Sequence, residues 1–229
     1  MAYVEKDFLD TIFTNRLASP PDVHPTEVSG FLLKALQTYS VFKPRILAAE
    51  MTGDGSKYDF DLPTDWVEGF SQIIDIEYPS GSQIPTYLKA YQYRIYQSAT
   101  TKKLRLLTYI PGATEKLLVT YTLPHSVTSA VNTTEQQDFS AICDLAASVG
   151  CDYLAEKFAQ TQSSTLDADV VNYLSKVDYY RNLSRRLMVD FKTHFGMKED
   201  DVVPAISKVG DMPAPTSTGG LNMLLHPRL

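Results

Sequence analysis

The hydrophobic period of this chain changes twice, and few folds satisfy both changes. Up to about residue 44 apolar residues recur at helical spacing. From Arg45 to Pro124 they mostly alternate. After that the helical spacing returns. A period of 3.6 buries one stripe of a helix, and a period of two buries one face of a strand. The pattern therefore predicts an α+β protein with a β-rich insertion inside a helical bundle. The expected parts are a bundle from 1–44 and 130–196, an insertion at 45–129 and an extended C-terminal tail at 197–229.

In the first helical stretch, Val4, Phe8, Ile12 and Phe13 share a face, and three prolines in "ASPPDVHPT" end it. Thr26 is the expected cap of a second helix with the stripe Phe31, Leu32, Ala35, Leu36 and Tyr39. Lys43-Pro44 stops that helix, because the residue before proline avoids helical geometry. In the middle, Ile74, Ile76 and Tyr78 are expected on one face, as are Leu104, Leu106 and Ile110, and Leu117, Val119, Tyr121 and Leu123. Turn residues punctuate these runs, as in "PSGSQIP" and "IPGATE". A third helix is expected with Thr133 or Thr134 as cap and Phe139, Ile142, Cys143, Ala146, Tyr153 and Leu154 inward. A fourth is expected from an Asp167 cap to a Gly196 stop, with Leu174, Val177, Leu187, Phe191 and Phe195 inward.

The chain has 229 residues, a formal net charge of −6 and two cysteines. Its acidic balance argues against a main task of gripping phosphate backbones. No run of about 18 apolar residues is present, so no membrane helix is expected, and the N-terminus does not read as a signal peptide. Cys143 and Cys151 on one helix would lie about 12 Å apart along its axis, too far for a disulfide.

Chemistry-bearing motifs are sparse. His24, His125, His194 and His226 form no i, i+4 pair, and no metalloprotease, nucleophile-elbow or phosphate-loop signature occurs. The stretch "TGDGSKYDFDLPTDW" holds Asp54, Asp59, Asp61 and Asp65. A calcium loop would need oxygen ligands and a glycine where Pro63 and Thr64 stand. Alternation explains the same residues, with Tyr58, Phe60 and Leu62 inward and Asp59 and Asp61 outward. A metal-dependent hydrolase using Asp59, Asp61 and Asp65 is the weaker reading. Tyr78 to Thr114 contains no acid and interleaves tyrosines with Lys89, Arg94, Lys102, Lys103 and Arg105. That composition suits a protein interface or, as an alternative, a sheet that binds single-stranded nucleic acid.

The order of elements, with "YDFDLPTDW", "LLVTYTLPH" and the paired helices "FSAICDLAASVGCDYLAEKFA" and "DADVVNYLSKVDYYRNLSRRLMVDF", resembles the head–tail connector (adaptor) proteins of tailed bacteriophages. The resemblance implies a non-enzymatic virion protein without cofactors. It would sit in the neck, and in host cytoplasm before assembly. It would form a ring, commonly a dodecamer, under a portal protein and meet a tail, stopper or nozzle protein. DNA would pass through only as cargo, and no membrane would be involved. The same likeness implies that Leu221, Met223, Leu224, Leu225, Pro227 and Leu229 dock on the portal. It also implies a tail-side surface at Tyr91, Tyr93, Arg94, Tyr96, Lys103, Arg105 and Tyr109. Opposite charge runs suggest a subunit contact of Asp144, Asp152 and Glu156 with Arg181, Arg185 and Arg186.

Overall fold

The computed structural model describes residues 3–161 and 173–198. The chain divides into two compact units. One takes its described residues from Met1–Arg45 and Pro124–Ala205, the other from Ile46–Leu123. The first is helical and the second carries the strands, which is an α+β architecture.

In the helical unit, α1 (Glu5–Asp10) runs into a π-helical stretch, Thr11–Arg16. α2 spans Pro25–Phe42, α3 spans Phe139–Thr161 and α4 spans Tyr173–His194. α2 starts one residue before the expected cap. His24 is the N-cap, and Pro25 takes the first helical position, where a missing N–H costs nothing. The His24 N–H donates to Glu27 Oε2 at 2.7 Å, so Glu27 closes the cap from three residues along.

The third helix, by contrast, starts later than expected. Residues Gln136–Asp138 form a 3₁₀ turn before α3. Thr133 and Thr134 bond to Ser126 and Asn132 instead of capping the helix. α3 is the axle of the unit: Ile142, Cys143, Ala146, Ala147, Cys151 and Leu154 are fully buried. Burial on so many sides requires small residues, since helices from more than one direction must approach closely. Gly150 marks one such approach. A Cβ there would lie 3.0 Å from Leu17 and 3.1 Å from the Phe31 ring. Cys143 and Cys151 are free and buried, and burial pushes both thiols up to about 12.

α4 buries Val177, Leu187 and Phe191. It ends as Gly196 suggested. Gly196 has φ of 68°, its N–H donates to Thr193 O, and the Met197 N–H donates to Lys192 O. That pair of bonds is a Schellman cap. The Asp167 cap, Leu174 and the tail from residue 199 onward lie outside the described residues or side chains.

The second unit holds two three-stranded sheets. The first has the order β1 (Arg45–Thr52), β6 (Lys116–Leu123), β3 (Ile73–Glu77). The second has the order β2 (Asp59–Asp61), β5 (Lys102–Leu106), β4 (Tyr93–Gln97). β6 is central and buries Leu117, Val119, Tyr121 and Leu123 on one face. A separate core forms here from Phe60, Ile76, Leu88, Leu104, Leu106, Leu117 and Val119.

Three inward assignments need correction. A register shift between Ile73 and Asp75 marks a bulge, which turns Ile74 out to 46% exposure while Ile76 is buried. β5 ends at Leu106, so Ile110 lies beyond the strand and is exposed. Tyr58 precedes β2 and is exposed, so only Phe60 in that run is buried.

Candidate functional site

The four aspartates of "TGDGSKYDFDLPTDW" point to four different places. Asp54 accepts from the backbone N–H groups of Ser56 and Lys57 at 2.9 and 2.6 Å, and these bonds hold its carboxyl below the usual range. Such a bond pattern fixes a turn. Asp59 faces Arg105, Asp61 faces Lys103 at 3.1 Å, and Asp65 accepts from the Tyr121 hydroxyl at 2.5 Å. Asp59, Asp61 and Asp65 therefore do not converge. Among the described residues no group of three His, Cys, Asp or Glu side chains is placed to hold a metal ion.

Arg105 organises the outer face of the second sheet. Its Nε and Nη2 donate to the two oxygens of Asp59 at 2.7 and 2.8 Å. The guanidinium lies 4.3 Å from the Tyr96 ring centre and 4.8 Å from that of Tyr58. The Tyr96 hydroxyl closes the group by donating to Asp59 at 2.8 Å. The Arg105 hydrogen bonds hold the Asp59 carboxyl below its ordinary value. Planarity explains the choice of arginine, which can fork onto a carboxylate and stack on rings at once. Lys102 pairs with Glu68.

The tail-side set of the sequence reading thus falls into two parts. Lys103, Arg105 and Tyr96 are engaged within the chain. Tyr91, Arg94 and Tyr109 are exposed, and Tyr93 is half-buried beside the sheet core. Around the exposed members lie Tyr87, Leu107 and Ile110, all more than half exposed; Leu107 is the one the sequence did not single out, and Ile110 was expected inward. The Leu107 N–H donates to Gln92 O, and the rings of Tyr78 and Tyr109 are 5.6 Å apart, so these loops adjoin. Burial pushes the Tyr78 hydroxyl up to about 12, helped by its bond to Glu115.

The proposed subunit-contact residues divide in the same way. Asp144 stands 2.6 Å from Arg16 Nε in its own chain, an ion pair whose angle falls short of a hydrogen bond. Burial raises the Asp144 carboxyl despite that cation. Asp152, Glu156, Arg181, Arg185 and Arg186 are all exposed. The portal-docking residues Leu221, Met223, Leu224, Leu225, Pro227 and Leu229 lie outside the described residues.

One cluster is invisible in the sequence. Asp138 is 1% exposed and accepts from Tyr39 Oη at 2.7 Å, Lys43 Nζ at 3.0 Å and His194 Nε2 at 2.8 Å. Lys43 also meets Glu135 at 2.6 Å. Burial works to raise the Asp138 carboxyl, but the bonds from His194, Tyr39 and Lys43 outweigh it and hold the group low. Close by, His125 bridges two backbone carbonyls, Thr133 O at 2.7 Å and Lys43 O at 2.8 Å. Burial lowers its imidazole. These groups join α2, the start of α3 and the end of α4. Asp138 at their centre is buried and its bonds go to protein donors, which is the chemistry of a structural tie.

No family model and no curated protein matches the chain. Among solved structures it is similar to a chain in the neck of an empty GTA particle computed with C6 symmetry, at 13% identity. That match covers 77% of this chain and 87% of the other, with a TM-score of 0.28. A chain in the neck of a native GTA particle computed with C12 symmetry gives 12% identity, coverage of 79% and 92%, and a TM-score of 0.29. Likeness at that level carries no argument about fold or function.

Proposed function

We propose that this chain is a structural assembly protein: a ring-forming adaptor in the neck of a phage-like particle, joining a portal protein to the tail, with DNA passing through. The reading starts from the order of elements and the Leu-Pro strand exits in the sequence. The observation that carries it is where the protein leaves its apolar and cationic groups. Tyr87, Tyr91, Leu107, Tyr109 and Ile110 are exposed around one pair of adjoining loops. Exposed aromatic and aliphatic residues gathered together mark contact with another protein. By contrast, the acids that a hydrolase would need are spent on separate partners, and most of the cations that a nucleic-acid sheet would need are paired with acids of the chain.

In this reading Leu221 to Leu229 anchors the protein to the portal, the loops around Tyr91 and Tyr109 face the tail side, and the exposed arginines of α4 meet acids of a neighbour. Asp152 and Glu156 are the acids available for that contact, since Asp144 is held by Arg16. The test is addition to portal-containing heads. Deletion of Gly219 to Leu229 leaves a folded protein that no longer adds to them. Normal addition by the deleted protein overturns the anchor.

A further inference from the structure

The open edges of the two sheets complement each other. In the first sheet β3 has its outer side engaged: the Leu88 N–H donates to Ile76 O, the Tyr78 N–H donates to Thr86 O, and Tyr87 bridges to Glu77. Among the described residues β1 has no such cover. Among the described residues β6 is the one strand that pairs with it. No side chain of its eight residues is fully buried, while β6 beside it buries every second one. β1 also lacks the lysine or proline that blunts natural sheet edges. In the second sheet β4 is an edge strand, paired only with β5 among the described strands.

The charge rows say what fits these edges. Across the second sheet Asp59 lies opposite Arg105, and Arg105 lies opposite Arg94. Asp59 neutralises Arg105. Arg94 is left facing a like charge, which costs stability, and among the described residues it makes no ion pair. A carboxylate on the open side of β4 would complete the row. β1 carries one on its exposed face, Glu50, whose Oε2 meets Lys116 at 2.7 Å.

We propose that β1 of one copy pairs antiparallel with β4 of a second copy, with Glu50 opposite Arg94. Alternation then fixes the other pairs. Ala48 faces Tyr96 on the same side as the ion pair. On the inward side Ala49 faces Ile95 and Met51 faces Tyr93. Ala48 and Ala49 thus meet the larger Tyr96 and Ile95, and each backbone edge gains the hydrogen-bond partners of a ladder. Self-pairing of β1 offers no such match. Its only cation, Arg45, lies on the opposite face from Glu50, so no same-face register opposes the two. Because β1 and β4 are different edges, the contact is head-to-tail, the type that closes into a ring where the rotation between copies permits. The inference rests on the ring reading above and names the strands that make the ring.

The experiment uses the full chain carrying Ala49→Cys and Ile95→Cys together, under mild oxidation. Directly opposed residues bring Cβ atoms to about 5 Å, near disulfide reach, and the buried native thiols titrate too high to compete. The expected result is a ladder of disulfide-linked species joined between positions 49 and 95 of different copies. A linked dimer from Ala49→Cys alone overturns the proposal in favour of β1 self-pairing. Oligomers seen by native mass spectrometry that give no 49–95 link overturn it and leave the ring reading standing. A chain that forms no oligomer, free or on portal, overturns both. As a second measure, Glu50→Arg or Arg94→Glu alone weakens self-association several-fold and the double swap restores it. Failure of the double swap to restore association also overturns the register.

Discussion

The hydroxyl of Tyr39 donates to the carboxylate of Asp138 at 2.7 Å, across 99 positions of sequence. Both groups are buried, so neither has water as a substitute. Tyr39→Phe leaves Asp138 with Lys43 and His194 and costs about 2 kcal/mol, the value of a hydrogen bond to a charged acceptor. Asp138→Ala strands the hydroxyl and releases the end of α4, and it costs about 3 kcal/mol or more. Urea unfolding of the two variants against the parent chain measures the difference. Equal losses would mean that Lys43 and His194 contribute nothing.

The same carboxylate sets an acid limit. Asp138 is held below its ordinary value in the folded chain. A depressed acid contributes stability that is complete above the unfolded value, about 4, and is lost as pH falls through the folded value. Thermal melts from pH 6 downward therefore show stability falling below about pH 4, and the fall is shallower in Asp138→Asn. An identical profile in that variant would move the acid sensitivity to other carboxylates.

At Gly150 helix propensity and packing oppose one another. Alanine improves an exposed helix position by about 1 kcal/mol. Here its Cβ would press on Leu17 and the Phe31 ring at 3.0–3.1 Å. Overpacking of a buried site costs about 1–3 kcal/mol. Gly150→Ala is therefore expected to lower the melting temperature. A rise would show that α2 can shift away from α3.

On the second sheet, Arg105→Lys keeps the charge and loses the fork and the stacking. The site is partly exposed, so the expected loss is small but measurable. Lys103→Ala, which breaks a pair with the largely exposed Asp61, changes stability little. Comparing the two by chemical denaturation separates planar recognition from mere charge.

Much of the fold was legible because it follows from local periodicity. The alternation Leu117, Val119, Tyr121 and Leu123 marked the central strand, and Gly196 marked the end of α4. Errors arose where one residue broke the period. The bulge at Ile73–Asp75 has no glycine or proline to announce it. His24 caps α2 although histidine is not a usual cap, and Pro25 beside it was the readable signal. The Asp138 cluster was out of reach for another reason. Tyr39, Lys43, Asp138 and His194 share no spacing, and only the packing of three helix ends brings them together. The basic, tyrosine-rich segment showed its composition but not its pairing. Which cations are engaged depends on strand register, and register places Arg105 beside Asp59 while leaving Arg94 at an edge.

His125 has a consequence for how such a protein can change over time. Its ring nitrogens lie 2.8 Å from Lys43 O and 2.7 Å from Thr133 O, carbonyls that can only accept, and its backbone N–H donates to Ser40 Oγ. The chain leaves the helical unit just after Lys43 and returns just before His125, so one imidazole staples the exit to the entrance. A unit hung from such a doorway behaves as a cassette. Whatever lies between the two sides of the staple can be lengthened, replaced or removed by recombination while the helices keep their core. Surface specificity is then free to diverge faster than the frame that holds it.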